Sequence, residues 1–565
     1  MRIRSRRFIM NNLTSETNSV GAGQVPLIIK TSVNEDVNQL SDVESVSTAV
    51  NLKETLSPES CPSTNQAHSS AESTASHGDT LLTSIVILAV ITIVQKSLGF
   101  FRSVFVCRTL TPEEMGTWSM ILTMVETSLP LFILSIPACF GRYFESFTLK
   151  RQLHAFVRQA FLIVLSVFVI CTVLVLTFQT TIANYVFGDP GATRFVIMGL
   201  CAIIPFGLFG VGCQMLTALR VSRLATLGNF LYGILFTALA VSLLTFWNAD
   251  ANSMFVAFLM AHLFALIWVV KKLRSTLQAV APDKTNLRFF ATWKTLTPII
   301  LVFWINDFLT NLFFSVDRYM LINLVTETSI PVLAQIGNYE SAHIIPALFA
   351  TVTALVARTL LPYLSRDWEM GKHDQVHHQI NLSIKIAVLV LVLGSVAFLP
   401  ASNWIFETIF RGKYSAGQSI LGYVLFFYVG NAISFLLMNY FWCRQRGGVA
   451  TAAMFVSLVV NTVANTLLIP SLGIAGAAIG TVLAIGCQMF CLYFLSLAYG
   501  LTFEKRMLTA LVLPGVILVD GNAWWLGLIV VFGTVCCGLL FSEDDHAVFK
   551  SSLTTLSGKF SRMRS

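Results

Sequence analysis

The sequence predicts an all-α polytopic membrane protein. Three observations carry that prediction. The 565 residues are 55% hydrophobic and only 12% charged, with mean hydropathy +0.73, whereas a soluble domain carries about 25% charged residues. Apolar runs of membrane-spanning length recur from Leu81 almost to the end of the chain. The cations between those runs are concentrated in alternate loops. A chain this apolar cannot clothe itself in polar surface, so a soluble enzyme is excluded. Its net charge of +8 then concerns where cations sit relative to a bilayer, not nucleic-acid binding.

Residues 1–80 are a different material. They hold 22 Ser and Thr and one aromatic residue, Phe8, with no periodicity. Such a composition cannot bury enough apolar surface to offset its ordering entropy, which predicts a disordered cytoplasmic tail. It contains no apolar stretch of signal-peptide length and is not read as a secretory signal.

A spanning helix needs about 20 mostly apolar residues. By that rule the predicted spans are 82–106, 115–139, 157–180, 194–217, 225–247, 253–270, 296–323, 339–357, 383–406, 417–441, 449–469, 474–499, 507–520 and 523–541. That makes about 14 transmembrane helices. The thirteenth is short and contains Pro514. With the N-terminus cytoplasmic, the loops on that side carry 24 Lys and Arg. The opposite loops carry four, Arg108, Arg194, Arg411 and Lys413. This is the positive-inside pattern, and it predicts both termini in the cytoplasm.

A weak internal repeat divides the chain. Phe101-Arg-Ser-Val104 resembles Phe313-Phe-Ser-Val316 at an offset of 212. Arg220 and Arg223 close the fourth span as Arg444 and Arg446 close the tenth, at offsets of 224 and 223. The predicted organisation is two six-helix lobes, 81–294 and 295–500, around a central cavity. Two further transmembrane helices follow at 501–541, then a cytoplasmic C-terminal tail at 542–565.

Ionisable residues inside spans are costly and usually face protein or a water-filled cavity. Lys96 and Arg102 lie in the first span, and two cations there suit an anionic group such as a phosphate or diphosphate. Glu126 lies in the middle of the second span and Asp307 in the middle of the seventh. Lys96 shifted by the repeat offset falls beside Asp307, which predicts that the two face one cavity and can pair across it. The alternative is separate satisfaction by neighbours such as Gln95, Asn306 and Asn311. Asp317 and Arg318 read as a pair at the outer end of the seventh span, where charges can snorkel to the interface. His343, after Glu340, sits near the outer end of the eighth. Glu126, Asp307 and His343 are candidate carriers for proton or sodium coupling. No cofactor or metal site is predicted. There is no CxxC pair, ten of the eleven cysteines lie in or beside apolar runs, and His373-Asp-Gln-Val-His-His378 reads as a solvated loop.

Four segments taken in order resemble a known family. They are Arg108-Thr-Leu-Thr-Pro-Glu-Glu-Met-Gly116, Pro137-Ala-Cys-Phe-Gly-Arg142, Asp317-Arg-Tyr-Met-Leu321 with Ile336-Gly-Asn-Tyr339, and Leu472-Gly-Ile-Ala-Gly-Ala-Ala478. The chain resembles the bacterial oligosaccharide (O-antigen type) flippases over roughly residues 81–500. Their superfamily also contains multidrug exporters and lipid II flippases. The resemblance implies two lobes in a V, with a cavity lined by the first two helices of each. It implies alternating-access transfer of an undecaprenyl-diphosphate-linked oligosaccharide from the cytoplasmic to the outer leaflet of the bacterial inner membrane. Lys96 and Arg102 match cavity cations of that family. The implied partners are the lipid-linked oligosaccharide, the bilayer, a polysaccharide polymerase and glycosyltransferases. The rival readings are an ion-coupled multidrug antiporter on the same fold, which the cavity cations disfavour, and a membrane polymerase or ligase. The short external loops disfavour the latter.

Overall fold

The computed structural model describes residues 91–283, 287–325, 330–519, 523–542 and 545. The predicted 1–80 tail, and the 542–565 tail apart from Ser542 and Asp545, lie outside the described residues. The described runs are helical. With no water in a hydrocarbon core, each backbone N–H must find its carbonyl within the segment.

The first helix, α1, covers 91–109. It is followed by α2 (Pro112–Ile133), α3 (Phe140–Leu149), α4 (Leu153–Thr177), α5 (Gln179–Phe187), α6 (Thr193–Ala218), α7 (Ser222–Phe246) and α8 (Ala251–Gln278). The second half runs through α9 (Phe289–Leu324), α10 (Val332–His343), α11 (Pro346–Glu369), α12 (His373–Trp404), α13 (Ser415–Ser419), α14 (Leu421–Cys443), α15 (Gly447–Leu472) and α16 (Ile474–Ala498). Two short helices close it, α17 (Met507–Val512) and α18 (Trp524–Cys536). Local chemistry sets the ends. At α2, Thr111 accepts the Glu114 N–H at 3.3 Å, Pro112 takes the first helical position, and Glu113 and Glu114 face the helix dipole.

Among the described residues, nine helices are long and apolar enough to cross a membrane: α4, α6, α7, α8, α9, α12, α14, α15 and α16. The fourteen uninterrupted spans predicted from length need correction at four places. The second span breaks after Ile133, where Leu134 and Ser135 both take φ +47° before a 3-10 turn, Ile136–Cys139. Each left-handed residue costs about 1–2 kcal/mol, so contacts from elsewhere must hold them. The eighth span breaks between α10 and α11, where Pro346 cannot donate back to the preceding turn. That break at 344–345 comes 210 residues after the one at 134–135, in step with the sequence repeat. The thirteenth run is α17 plus a 3-10 segment, Leu513–Leu518. At rises of ~1.5 and ~2.0 Å per residue it reaches about 21 Å, short of the ~30 Å core. The fourteenth run, α18, is 13 residues long.

The interior is built around α14, with 78% of its apolar window buried, against 17% for α4 on the periphery. The most extensive helix pairings are α15 with α16, α2 with α10, and α7 with α8. The second pairing joins the two halves of the chain. It is possible because Gly116 and Gly337 let backbones touch: a Cβ at Gly116 would lie 1.8 Å from the Leu333 carbonyl, and one at Gly337 1.9 Å from the Pro112 carbonyl.

Two other expectations are corrected by α12. His373–His378 is not a loop but the first turns of this helix, and His377 is buried with Nδ1 2.9 Å from Thr502 Oγ1. Lys385, counted among the loop cations, is fully buried. Its ammonium donates to Glu504 and, at 2.7 Å, to Asp545, which ties the chain before α17 and after α18 to one point.

Candidate functional site

A cavity of about 200 Å³ opens between the two halves. Glu126 reaches it from α2, Asn311 and Arg318 from α9, His343 from α10 and Tyr428 from α14. The structure therefore brings together Glu126, Asp317, Arg318 and His343 of the predicted residues, and places Lys96, Arg102 and Asp307 elsewhere.

Arg318 does not snorkel at an outer helix end. It is largely buried, six residues before the end of α9. Its Nη2 and Nε donate to Glu340 Oε2 at 2.6 and 3.1 Å, and its Nη1 donates to the Phe314 carbonyl at 2.7 Å. Ser119 of α2 donates to the same Glu340 oxygen at 3.2 Å. A charge pair in low dielectric is held only where hydrogen bonds complete it, and here those bonds come from both halves. His343 closes one side, with Nδ1 3.3 Å from the Tyr428 hydroxyl.

Asp317 is likewise not an interfacial charge. It is 4% exposed and accepts four hydrogen bonds: from Tyr339 (2.8 Å), Thr481 (2.6 Å), Asn461 (3.0 Å) and Asn465 (2.7 Å). It thereby joins α9 to α10, α15 and α16. The side-chain oxygens of Asn461 and Asn465 are buried with no hydrogen-bond partner among the described residues. Amide oxygen and nitrogen are interchangeable by a half-turn. Turning both amides would present two more oxygens beside the carboxylate and the Thr481 hydroxyl, an all-oxygen donor set of the kind hard cations take. A sodium ion held there would take Asp317, Asn461, Asn465 and Thr481 as its ligands. It would supply positive charge to Asp317, while the same side chains donate to the carboxylate without it.

The other expected residues have their own surroundings. Arg102 lies over the Phe236 ring of α7, 4.1 Å from its centroid, a cation–π contact. Lys96 is exposed on α1. Asp307 is exposed on α9 and accepts the Ser135 hydroxyl at 2.9 Å. The described ion pairs do not include Lys96 with Asp307. Asn461, Asn465, Thr481 and Tyr339 were missed by sequence reading. A signal existed: two Asn four residues apart lie on one face of an otherwise apolar helix.

Broken helices meeting at a polar cavity within a helical membrane body define the class: a multi-pass transporter rather than an enzyme. The chain belongs to the family described as "Lipid II flippase MurJ", whose model matches residues 66–542. The superfamily expected from the motifs is thus the one found, with the lipid II flippases as the matching family. Among curated proteins it is similar to the "Probable low-salt glycan biosynthesis flippase Agl15" of Haloferax volcanii, 23% identical over 77% of this chain and 89% of that one. Among solved structures it is similar to "Lipid II flippase MurJ, inward closed conformation" (TM-score 0.60, 14% identity, 83% of this chain and 100% of that one). It is also similar to an inward-facing multidrug resistance transporter of the MATE family (TM-score 0.55, 13% identity, 74% and 95%). At those identities the structural matches establish the fold.

Proposed function

We propose that this protein moves a lipid-linked oligosaccharide, joined to a polyprenyl carrier through a diphosphate, from the cytoplasmic to the outer leaflet by alternating access of two six-helix lobes. The carrying observation is the cavity shared by Glu126 of one half with Arg318 and His343 of the other. Arg318 is the cation best placed there, and it is already bound to a carboxylate. A diphosphate offers the same oxygen geometry and can replace Glu340 on the guanidinium. Lys96, exposed on α1, and Arg102 remain candidates for a second contact as the lobes move. The cation-rich face is read as cytoplasmic, and the enzymes that build and polymerise the glycan are the expected partners.

The test is transfer of a fluorescent diphospho-lipid oligosaccharide in proteoliposomes, followed by quenching from one side. Wild type is expected to expose the label, and Arg318→Ala to lose most of that activity. Lys96→Ala and Arg102→Ala are expected to weaken it. No transfer by the wild-type protein, with transfer of organic cations instead, would overturn the reading in favour of a multidrug antiporter.

A further inference from the structure

On the cation-poor face, α1 ends at residue 109 and its last carbonyls need donors from outside the helix. They find them in the other half of the chain. Lys413 Nζ lies 3.2 Å from the Arg108 carbonyl, 3.3 Å from that of Thr109 and 3.1 Å from that of Leu110. An ammonium has three N–H donors, and here three orphan carbonyls meet them. The positive charge also faces the negative end of the α1 dipole. Tyr414 adds its hydroxyl to the Leu110 carbonyl at 3.3 Å, and Cys107, three residues back on α1, is fully buried.

The segment that delivers Lys413 is built unusually. The end of α12 widens into a π-helical turn, Ile405–Ile409. Arg411 and Gly412 then both take left-handed φ, +58° and +69°, and the Gly412 N–H donates to the Phe406 carbonyl at 2.9 Å. π-turns and left-handed non-glycine residues persist where surrounding contacts over-determine them. Beneath this point the halves are already in backbone contact through Gly116 and Gly337.

We propose that Lys413 is the positioning residue that holds the cation-poor side of the transporter shut, capping α1 across the two halves, and that this cap is released when that side opens. The proposal rests on the alternating-access reading above. Opening that side separates α1 and α2 from α10 and the 410–414 turn, and the cap must break with it.

The native Cys107 reports on this directly. Full-length protein in vesicles is treated with a membrane-impermeant maleimide from the cation-poor side, and labelling at Cys107 is followed by peptide mass spectrometry. Lys413→Met is expected to raise the labelling rate about tenfold, the factor that one order in the open–closed equilibrium constant gives. Lys413→Arg, which keeps a cationic donor, is expected to stay near wild type. Tyr414→Phe is the second variant, expected to raise the rate less, and keeps the test open if Lys413→Met does not fold. Wild-type labelling rates in folded Lys413→Met or, failing that, in Tyr414→Phe would overturn the latch. Because labelling needs no glycan, loss of the latch result and loss of the flippase reading are separate outcomes.

Discussion

Ser135 donates its hydroxyl to Asp307 Oδ2 at 2.9 Å, and five residues before Ser135 the Pro130 carbonyl accepts the indole N–H of Trp304 at 3.1 Å. Two side chains one turn apart on α9 thus hold the break of the second span from the other half of the chain. This accounts for an acidic residue in the seventh span that has no cationic partner among the described ion pairs: Asp307 stabilises left-handed backbone at Leu134 and Ser135. Asp307→Ala is expected to lower stability by about 1 kcal/mol, while Asp307→Asn, which keeps an acceptor oxygen, stays near wild type. The Lys96→Asp, Asp307→Lys double variant is expected to show no rescue. Denaturation midpoints and transport of the four proteins decide between a hydrogen bond and a charge pair.

Removing Asp317 leaves four donors from three helices without an acceptor. Asp317→Ala is expected to cost about 1–3 kcal/mol for each buried donor that finds no new acceptor. If the amides of Asn461 and Asn465 turn to take a cation, sodium raises the unfolding temperature of the wild type over an equal concentration of choline. It leaves that of Asp317→Asn unchanged. Thermal unfolding in the two salts separates these outcomes.

A methyl group at Gly337 would have to push Pro112 away, since the Cβ would sit 1.9 Å from its carbonyl oxygen. Gly337→Ala is therefore expected to disfavour the close contact of α2 and α10. Transport should fall more than stability does, because the helix itself gains from alanine by about 1 kcal/mol. The check is transport rate against unfolding temperature for this variant and for Gly141→Ala, where a Cβ meets nothing within 4 Å.

The Lys385 node ties the C-terminal pair of helices to α12. Burial alone would raise the Asp545 carboxyl, but its hydrogen bonds with Lys385 and the Ser542 N–H bring it below the ordinary Asp range. A folded value below the unfolded one means this stabilisation is complete above about pH 4, the ordinary Asp value. It is lost as pH falls through the lower folded value. Hydrogen exchange at 507–536 is expected to accelerate on that descent in wild type. In Asp545→Asn it is expected to be fast already at neutral pH and to lack the transition.

Much of the architecture is legible in the chain because a bilayer imposes it. Length and apolarity mark the spans, and loop cations mark their alternation, both without knowledge of any contact. Where the reading failed, the deciding interaction was distant in sequence. The breaks at 134–135 and 344–345 lie beside prolines that were visible, Pro130 and Pro137 for the first and Pro346 for the second, but the Ser135 hydroxyl is held by Asp307, 172 residues away. Lys385 looked like a loop cation because its partners Glu504 and Asp545 lie 119 and 160 residues on.

The sequence by itself determined that this is a multi-pass helical membrane protein and marked most of its long apolar helices. Hydration sets that selection residue by residue. Only the tertiary structure decided which charges meet. Arg318 pairs with Glu340, Asp317 draws donors from three helices, and Lys413 caps α1, because a hydrogen bond exists only where folding brings donor and acceptor within about 3 Å. Residue spacing along a chain does not specify that distance across helices.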